Sequence, residues 1–293
     1  MPTFRQIAAP LMVAGMVGAG LTGVLSAQTV PGGRDGSAIA EAAGTGPADQ
    51  ASALFAEGHA AYRDGNMAEA IRHWESAARD GHLAAQWNLA RIFSGAAGGP
   101  ADPRRHLHYL QLAAAQHDPD APPGPRLAVT LEALVELARA YGAGVPEVGL
   151  APQPTRARAM LEHAASLFGH ARAQHFLGLM YLKGDGMSAD LPRAVRWLHL
   201  AARKQFAPSQ AALGEYFLKR AAARGDDAGD RMRGVAWIAL ASRNARAERT
   251  RALFLERYEQ AMGELGEAER ERVRTLVDSW SAGQKSAALE PAE

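Results

Sequence analysis

The chain has 293 residues, with 32 Lys and Arg against 31 Asp and Glu, no cysteine, and only 6% aromatic side chains. The missing cysteines exclude a disulfide-built scaffold, a thiolate metal site, a cysteine nucleophile and a lipidated cysteine anchor. The even charge balance argues against nucleic acid as a partner, because phosphate neutralisation needs a basic excess and no run of Lys or Arg supplies one.

In chain order, residues 1–27 come first. They carry one charge, Arg5, ahead of an uncharged segment from Ile7 to Leu25 that ends in Ser26 and Ala27. That pattern predicts a secretory signal peptide cleaved after Ala27, and with it a periplasmic protein that does not insert directly into a membrane once processed. A retained anchor is the alternative reading, although Pro10 and the glycines at 15, 18, 20 and 23 make a mediocre spanning helix. Gly18 to Gly23 matches the dinucleotide fingerprint GxGxxG, but no strand precedes it and it sits inside the export segment. Residues 28–49 hold only Val30 and Ile39 as large aliphatics, too few to offset the entropy of ordering, and predict a flexible linker.

Residues 50–245 repeat one pattern about five times. Ala173, Phe176, Leu177, Met180 and Tyr181 fall at i, i+3, i+4, i+7 and i+8, one stripe of an α-helix, and Ala194, Trp197, Leu198, Ala201 and Ala202 repeat the spacing in a second. Between them Gly184-Asp185-Gly186 supplies a turn, with Asp190 and Pro192 as cap and first-turn residue of the second helix. The closing Ala-Ala pair recurs at 77/78, 113/114, 164/165 and 201/202, with Ala241-Ser242 as a degenerate fifth, giving intervals of 36, 51, 37 and 40 residues. An aromatic in the first helix recurs as Tyr62, Phe93, Tyr141, Tyr181 and Phe217. The long interval contains two Pro-rich insertions, His117 to Pro125 and Val145 to Pro154, which read as loops. Paired small residues let neighbouring helices approach closely, so stacked pairs bury a core that no pair forms alone. The prediction is an all-α fold, a right-handed α-solenoid of helix pairs. Residues 246–284 read as a C-terminal capping hairpin, with Leu253, Tyr258 and Met262 on one stripe and Val273, Leu276, Val277 and Trp280 on the other, and 285–293 as a disordered tail.

The unit AQHFLGLMYLKGDGMSADLPRAVRWLHLAARKQF resembles a Sel1-like repeat, a cousin of the tetratricopeptide repeat, and the likeness covers roughly residues 52 to 245. A narrower resemblance lies in GHAAYRDGNMAEAIRHWESAARDGHLAAQWNLARIF and in the extended third repeat from Leu131 to Gly186. Together with the export signal, these are similar to the ExoR family of periplasmic regulators of exopolysaccharide synthesis. That resemblance implies a protein partner, the periplasmic domain of a membrane sensor kinase held inactive by binding. A scaffold role in a polysaccharide or cell-envelope assembly machine is the alternative.

No P-loop, HExxH or GxSxG element is present, and the sequence supports no catalytic residue, no metal site and no cofactor. The ten histidines all lie between His59 and His199, and the close pairs, His106 with His108 and His170 with His175, have poor spacing for chelation on a helix. They read as solvated or edge residues, with pH sensing as the sharper alternative. The candidate site is instead a binding surface. Trp87 points away from the stripe Ala85, Asn88, Leu89, Ile92 and Phe93, as does Arg91 four residues later. Taking the positions six and two before each first-helix aromatic gives Trp87 and Arg91, Val135 and Arg139, His175 and Leu179, Ala211 and Glu215, a row predicted to line the concave face for a partner.

Overall fold

The structure is a computed structural model that describes residues 46–96 and 98–282. The expected export segment, residues 28–45 of the expected linker and the expected tail lie outside the described residues. Within them the chain forms α1 (Pro47–Arg63), α2 (Met67–Arg79), α3 (Leu83–Phe93), α4 (Pro103–Ala115), α5 (Pro125–Ala143), α6 (Pro154–Ser166), α7 (Ala171–Lys183), α8 (Leu191–Arg203), α9 (Ala207–Ala223), α10 (Ala228–Asn244), α11 (Glu248–Gly263) and α12 (Glu267–Ser281). Helix α1 thus begins at Pro47, inside the stretch expected as linker. Among the described residues the one β feature is an isolated bridge between Val145 and Leu150, which closes the second insertion around a single 3-10 turn, Pro146–Val148.

Each odd-numbered helix packs on the even-numbered helix that follows it, from α1 with α2 to α9 with α10, and each pair stacks on the next. The first helices also touch across pairs: Arg172 of α7 reaches Glu132 of α5, and His175 of α7 meets Ser209 of α9. The second helices do likewise, through Arg105 of α4 with Glu75 of α2 and His199 of α8 against Trp237 of α10. The result is two layers, first helices on one side and second helices on the other.

The paired small residues are what allow this stacking. Ala77 and Ala78, Ala113 and Ala114, Ala164 and Ala165, Ala201 and Ala202, and Ala241 and Ser242 are all buried. Glycines extend the same requirement into the first helices: a Cβ on Gly178 would lie 2.8 Å from Leu198 Cγ, and one on Gly214 would lie 2.5 Å from Ile238 Cγ1. Asn66, Asp102, Asp190 and Asp227 cap the second helices α2, α4, α8 and α10 through their side chains, and Gly184 ends α7 in the left-handed conformation at φ 78°.

Two side-chain devices recur at the joints. Gln86, Gln174 and Gln210 donate from Nε2 to the carbonyls of Ala78, Ala165 and Ala202, satisfying acceptors that the end of the preceding second helix leaves without an intrahelical donor. At the matching register α5 carries Leu134, and there His117 sits 3.3 Å from Thr130 Oγ1 instead. The second device covers the recurring aromatic. The guanidinium of Arg105 lies 3.7 Å from the Phe93 ring centre, Arg156 lies 3.9 Å from Tyr141, and Arg193 lies 5.8 Å from Tyr181. Phe93, Tyr141, Tyr181 and Phe217 are buried, but Tyr62 is exposed, and α2 carries Glu69 at the third helical position where α4, α6 and α8 carry the covering arginine.

At the C-terminal end, α11 and α12 each dock on α10, with Trp280 4.8 Å from Trp237 and Val273 and Val277 buried. The buried residue of α11 is Phe254, and Leu253 is exposed. Phe254 precedes Tyr258 by one helical turn, so these two share the inward side, which the expected stripe through Leu253 misplaces.

Gly214→Ala should destabilise the fold by about 1–3 kcal/mol, since the new methyl meets Ile238 and the Gly234 carbonyl and overpacking outweighs the gain in helix propensity. Gly263→Ala on α11, where a Cβ meets nothing within 4 Å, should change stability by no more than about 1 kcal/mol. Urea midpoints of the two variants against the parent measure the difference; equal midpoints would remove the close-approach account.

Candidate functional site

The row of eight positions falls on the first-helix layer as expected, but half of it faces neighbouring helices. Val135 is 0% exposed and belongs to the central core cluster, and His175 is 8% exposed. Neither lines an open surface. Trp87 is half-buried and packs on the same cluster as Val135, so it is not turned wholly to solvent. The cause is geometric: a stripe read from one helix finds the side facing its own partner, whereas a first helix in a stack is also covered by the first helices before and after it. Position minus six from the aromatic points at that second contact.

Position minus two is more open. Arg91, Arg139, Leu179 and Glu215 are all half-buried. Arg139 pairs with Glu136 at 2.8 Å and lies 4.7 Å from the Phe176 ring centre on α7. Leu179 packs on the C-terminal core cluster, and Glu215 pairs with Arg257 of α11. The row is therefore a seam in which Arg139 reaches α7 and Glu215 reaches α11.

Around Arg139 the structure assembles groups that are scattered in sequence. Arg172 of α7 bonds Glu132 at 2.9 Å and also pairs with Glu136, while His170 Nε2 lies 3.3 Å from Glu132. Burial pushes the Glu132 carboxyl up, but His170 and Arg172 outweigh it and hold the carboxyl below its ordinary range. Burial likewise works against the Arg172 charge, and Glu136 and Glu132 more than restore it. These five side chains bridge α5 to α7 and fix Arg139 beside Phe176. Charge-assisted bonds of this kind orient a guanidinium, and losing one partner leaves the other charge uncompensated.

The histidines are mostly structural. His82 accepts from the Ala85 amide as the cap of α3 and stacks on Phe55 at 4.5 Å, with burial pushing its pKa down. His106 Nδ1 lies 2.7 Å from the Ala90 carbonyl. His117 and His163, 46 residues apart, meet through Nε2 atoms 2.9 Å apart, and the Phe168 ring centre lies 5.2 Å from one ring and 5.5 Å from the other. One of those nitrogens must donate and the other accept. Burial and the neighbouring His163 lower the His117 pKa, with Asp118 pulling the other way. Nothing in local spacing announces this contact, because it depends on the first insertion folding back onto α6. Among the described residues no three His, Asp or Glu side chains gather as a metal-holding group, and no helix is long and apolar enough to cross a membrane.

His175 is held neutral. Its Nδ1 lies 2.9 Å from Ser209 Oγ, its ring lies 5.3 Å from that of Phe206, and burial together with the nearby Arg172 and Arg139 pushes its pKa from 6.5 down to about 3. The folded chain then binds no proton on His175 at mildly acidic pH while the unfolded chain does. Its contribution to stability is therefore constant above pH 6.5 and is lost as pH falls from there towards about 3, at no more than about 1.4 kcal/mol per pH unit. His175→Gln, which cannot titrate, should have a flatter stability profile than the parent between about pH 7 and about pH 4. Denaturant midpoints across that range test it, and parallel profiles would exclude a buried neutral imidazole.

Comparison with known proteins places this architecture. The family profile described as Sel1 repeat matches residues 51–82, 83–118, 131–167, 171–206 and 207–226, more than half of the chain. The fifth match stops before α10, where the closing pair has become Ala241-Ser242. A protein named exopolysaccharide production negative regulator from Rhizobium meliloti (strain 1021) is 29% identical over 190 residues, covering 64% of this chain and 67% of its own. A protein of the same name from Rhizobium leguminosarum bv. viciae is 28% identical over 198 residues, covering 67% and 68%. Among solved structures, the Sel1 repeat protein from Oxalobacter formigenes superposes with a TM-score of 0.51 at 23% identity, covering 80% of this chain and 88% of that one. The protective antigen c5321 of uropathogenic Escherichia coli, described as displaying an SLR fold, gives a TM-score of 0.58 at 20% identity, covering 83% of this chain and only 50% of that one. These two likenesses speak to the fold alone, and the five matched repeats place the chain in the Sel1 repeat family.

Proposed function

We propose that this chain is a non-enzymatic, periplasmic protein-interaction module that limits exopolysaccharide output by binding and restraining the periplasmic domain of a membrane sensor kinase. The observation that carries this reading is the alignment, over two-thirds of each partner, with two proteins named as negative regulators of exopolysaccharide production. The physical form agrees with it. Regulation by occupancy needs shape and a few anchors, and a stack of helix pairs provides an extended surface of side chains held at fixed spacing. The export-type segment at residues 1–27 supports the compartment.

The anchors we assign are the half-buried members of the first-helix seam: Trp87 and Arg91 on α3, Arg139 on α5, Leu179 on α7 and Glu215 on α9. A half-buried aromatic or arginine already has part of its conformational freedom removed, which lowers the entropy cost of fixing it against a partner. Trp and Arg are also the residue types most enriched among residues that dominate binding energy.

Replacing Trp87 and Arg91 together by Ala should lower recovery of the kinase from envelope extracts by at least about tenfold, with helical circular dichroism unchanged. Because Trp87 also packs on the core, Arg91→Ala alone serves as a second variant that leaves the Trp87 packing in place. Unchanged recovery with both would remove the seam as the binding surface. Recovery of polysaccharide-export components in place of a kinase would favour the scaffold role.

A further inference from the structure

The two helix layers differ in charge. Helices α1, α3, α5, α7 and α9 carry eight Lys and Arg against five Asp and Glu. Helices α2, α4, α6, α8 and α10 carry twelve arginines, no lysine, and four acids. Those four acids are already engaged: Glu75 with Arg105, Glu162 with Arg158, Asp230 with Arg220 and Arg233, and Glu69 with Asn66 and His73. Among the described residues, Arg72, Arg104, Arg196 and Arg203 are exposed and have no ion-pair partner. Arg72 and Arg79 lie two turns apart on α2, and Arg196 and Arg203 repeat that register on α8.

Two open grooves flank α4. One, of about 420 Å³, lies between α2 and α4 and is lined by Arg72, Arg79, Ser76, Glu75 and the ring of Tyr109. The other, of about 330 Å³, runs between α4 and the second insertion and presents Arg104, His108 and Gln111 beside Leu150. Each thus joins an unpaired guanidinium to further polar groups and a ring or aliphatic wall, a combination suited to sugar hydroxyls and ring faces.

We propose that the second-helix layer binds an acidic polysaccharide, its carboxylates taken by Arg72, Arg104, Arg196 and Arg203 and its sugar rings by the grooves beside α4. Arginine without lysine favours carboxylates, because the planar fork takes both oxygens of one at once. A membrane surface fits less well, since adsorption to lipid wants an apolar wedge, and among the described residues the large exposed apolar side chains of this layer are Leu191 on α8 and Leu167 at the end of α6, on separate helices. The choice of polysaccharide rests on the regulatory reading above, whereas the anionic charge of the ligand follows from the arginines alone. Such binding would let the product occupy one face of the protein whose other face holds the partner.

The test is affinity electrophoresis of the purified full-length chain through gels containing polygalacturonate, with neutral dextran as control. Retardation by polygalacturonate alone, weakening as salt rises, is expected. The variant R72E/R104E/R196E/R203E should bind about tenfold or more weakly while recovering the protein partner as the parent does. The Trp87 and Arg91 double variant should still be retarded, so failure of the polysaccharide site and failure of the partner site are read separately. No retardation, equal retardation by dextran, an unaffected quadruple variant with native circular dichroism, or tighter binding to duplex DNA or anionic lipid vesicles at equal ionic strength would each overturn the assignment.

Discussion

How closely the helices approach one another decides what this molecule is. At every joint the closing residues of a second helix are alanine, or alanine and serine, and all are buried. Where a first helix crosses its partner, glycine takes over at positions 178 and 214 because even a methyl would enter the space of Leu198 or Ile238. Each such residue contributes little apolar area by itself. Its value is permissive, since close backbones bring the larger residues around them, such as Leu177, Leu198, Leu213 and Val235, into dense contact. The glutamine bonds to the helix-end carbonyls and the arginine–aromatic covers depend on that spacing in turn.

The same stacking sorts the charges. First helices lie against first helices, and their ions find partners across the joint: Glu132 and Glu136 with Arg172, and Glu215 with Arg257. Second helices expose more arginine than their own acids can match. A chain with a formal net charge of only +1 therefore presents one layer in which acids offset most of the basic residues and one layer that is strongly cationic. A protein partner that needs shape and a few anchors suits the first, and a flexible polyanion suits the second.

Much of this was legible in the sequence. The 3.6-residue stripes, the Ala-Ala intervals and the Gly184 to Pro192 turn specify helix pairs and their order, because backbone geometry and small-residue packing are local properties repeated five times. What failed was direction. The wheel for α3 treats Trp87 as outward, yet a helix in a stack has two covered sides, and only the spatial neighbours reveal the second. The same oversight placed Val135 and His175 on a surface when both are inside. Leu253 was misplaced because an Arg- and Glu-rich helix offers too few apolar positions to fix its phase. The contact between His117 and His163 and the basic layer are products of tertiary arrangement: the first joins residues across an insertion, and the second emerges only when arginines are sorted by helix parity instead of by run.

The third pair shows how such a protein acquires novelty. Its closing alanines stand 51 residues after the previous pair, where other intervals are 36 to 40, and yet Ala164 and Ala165 are as buried as their counterparts. The extra length went into two connections, one lending His117 to α6 and the other walling a groove beside α4. Because the joints are fixed by methyl groups, connecting segments can lengthen, acquire chemistry and diverge without any interface being redesigned. In this architecture invention is a matter of loops, while the rungs stay plain.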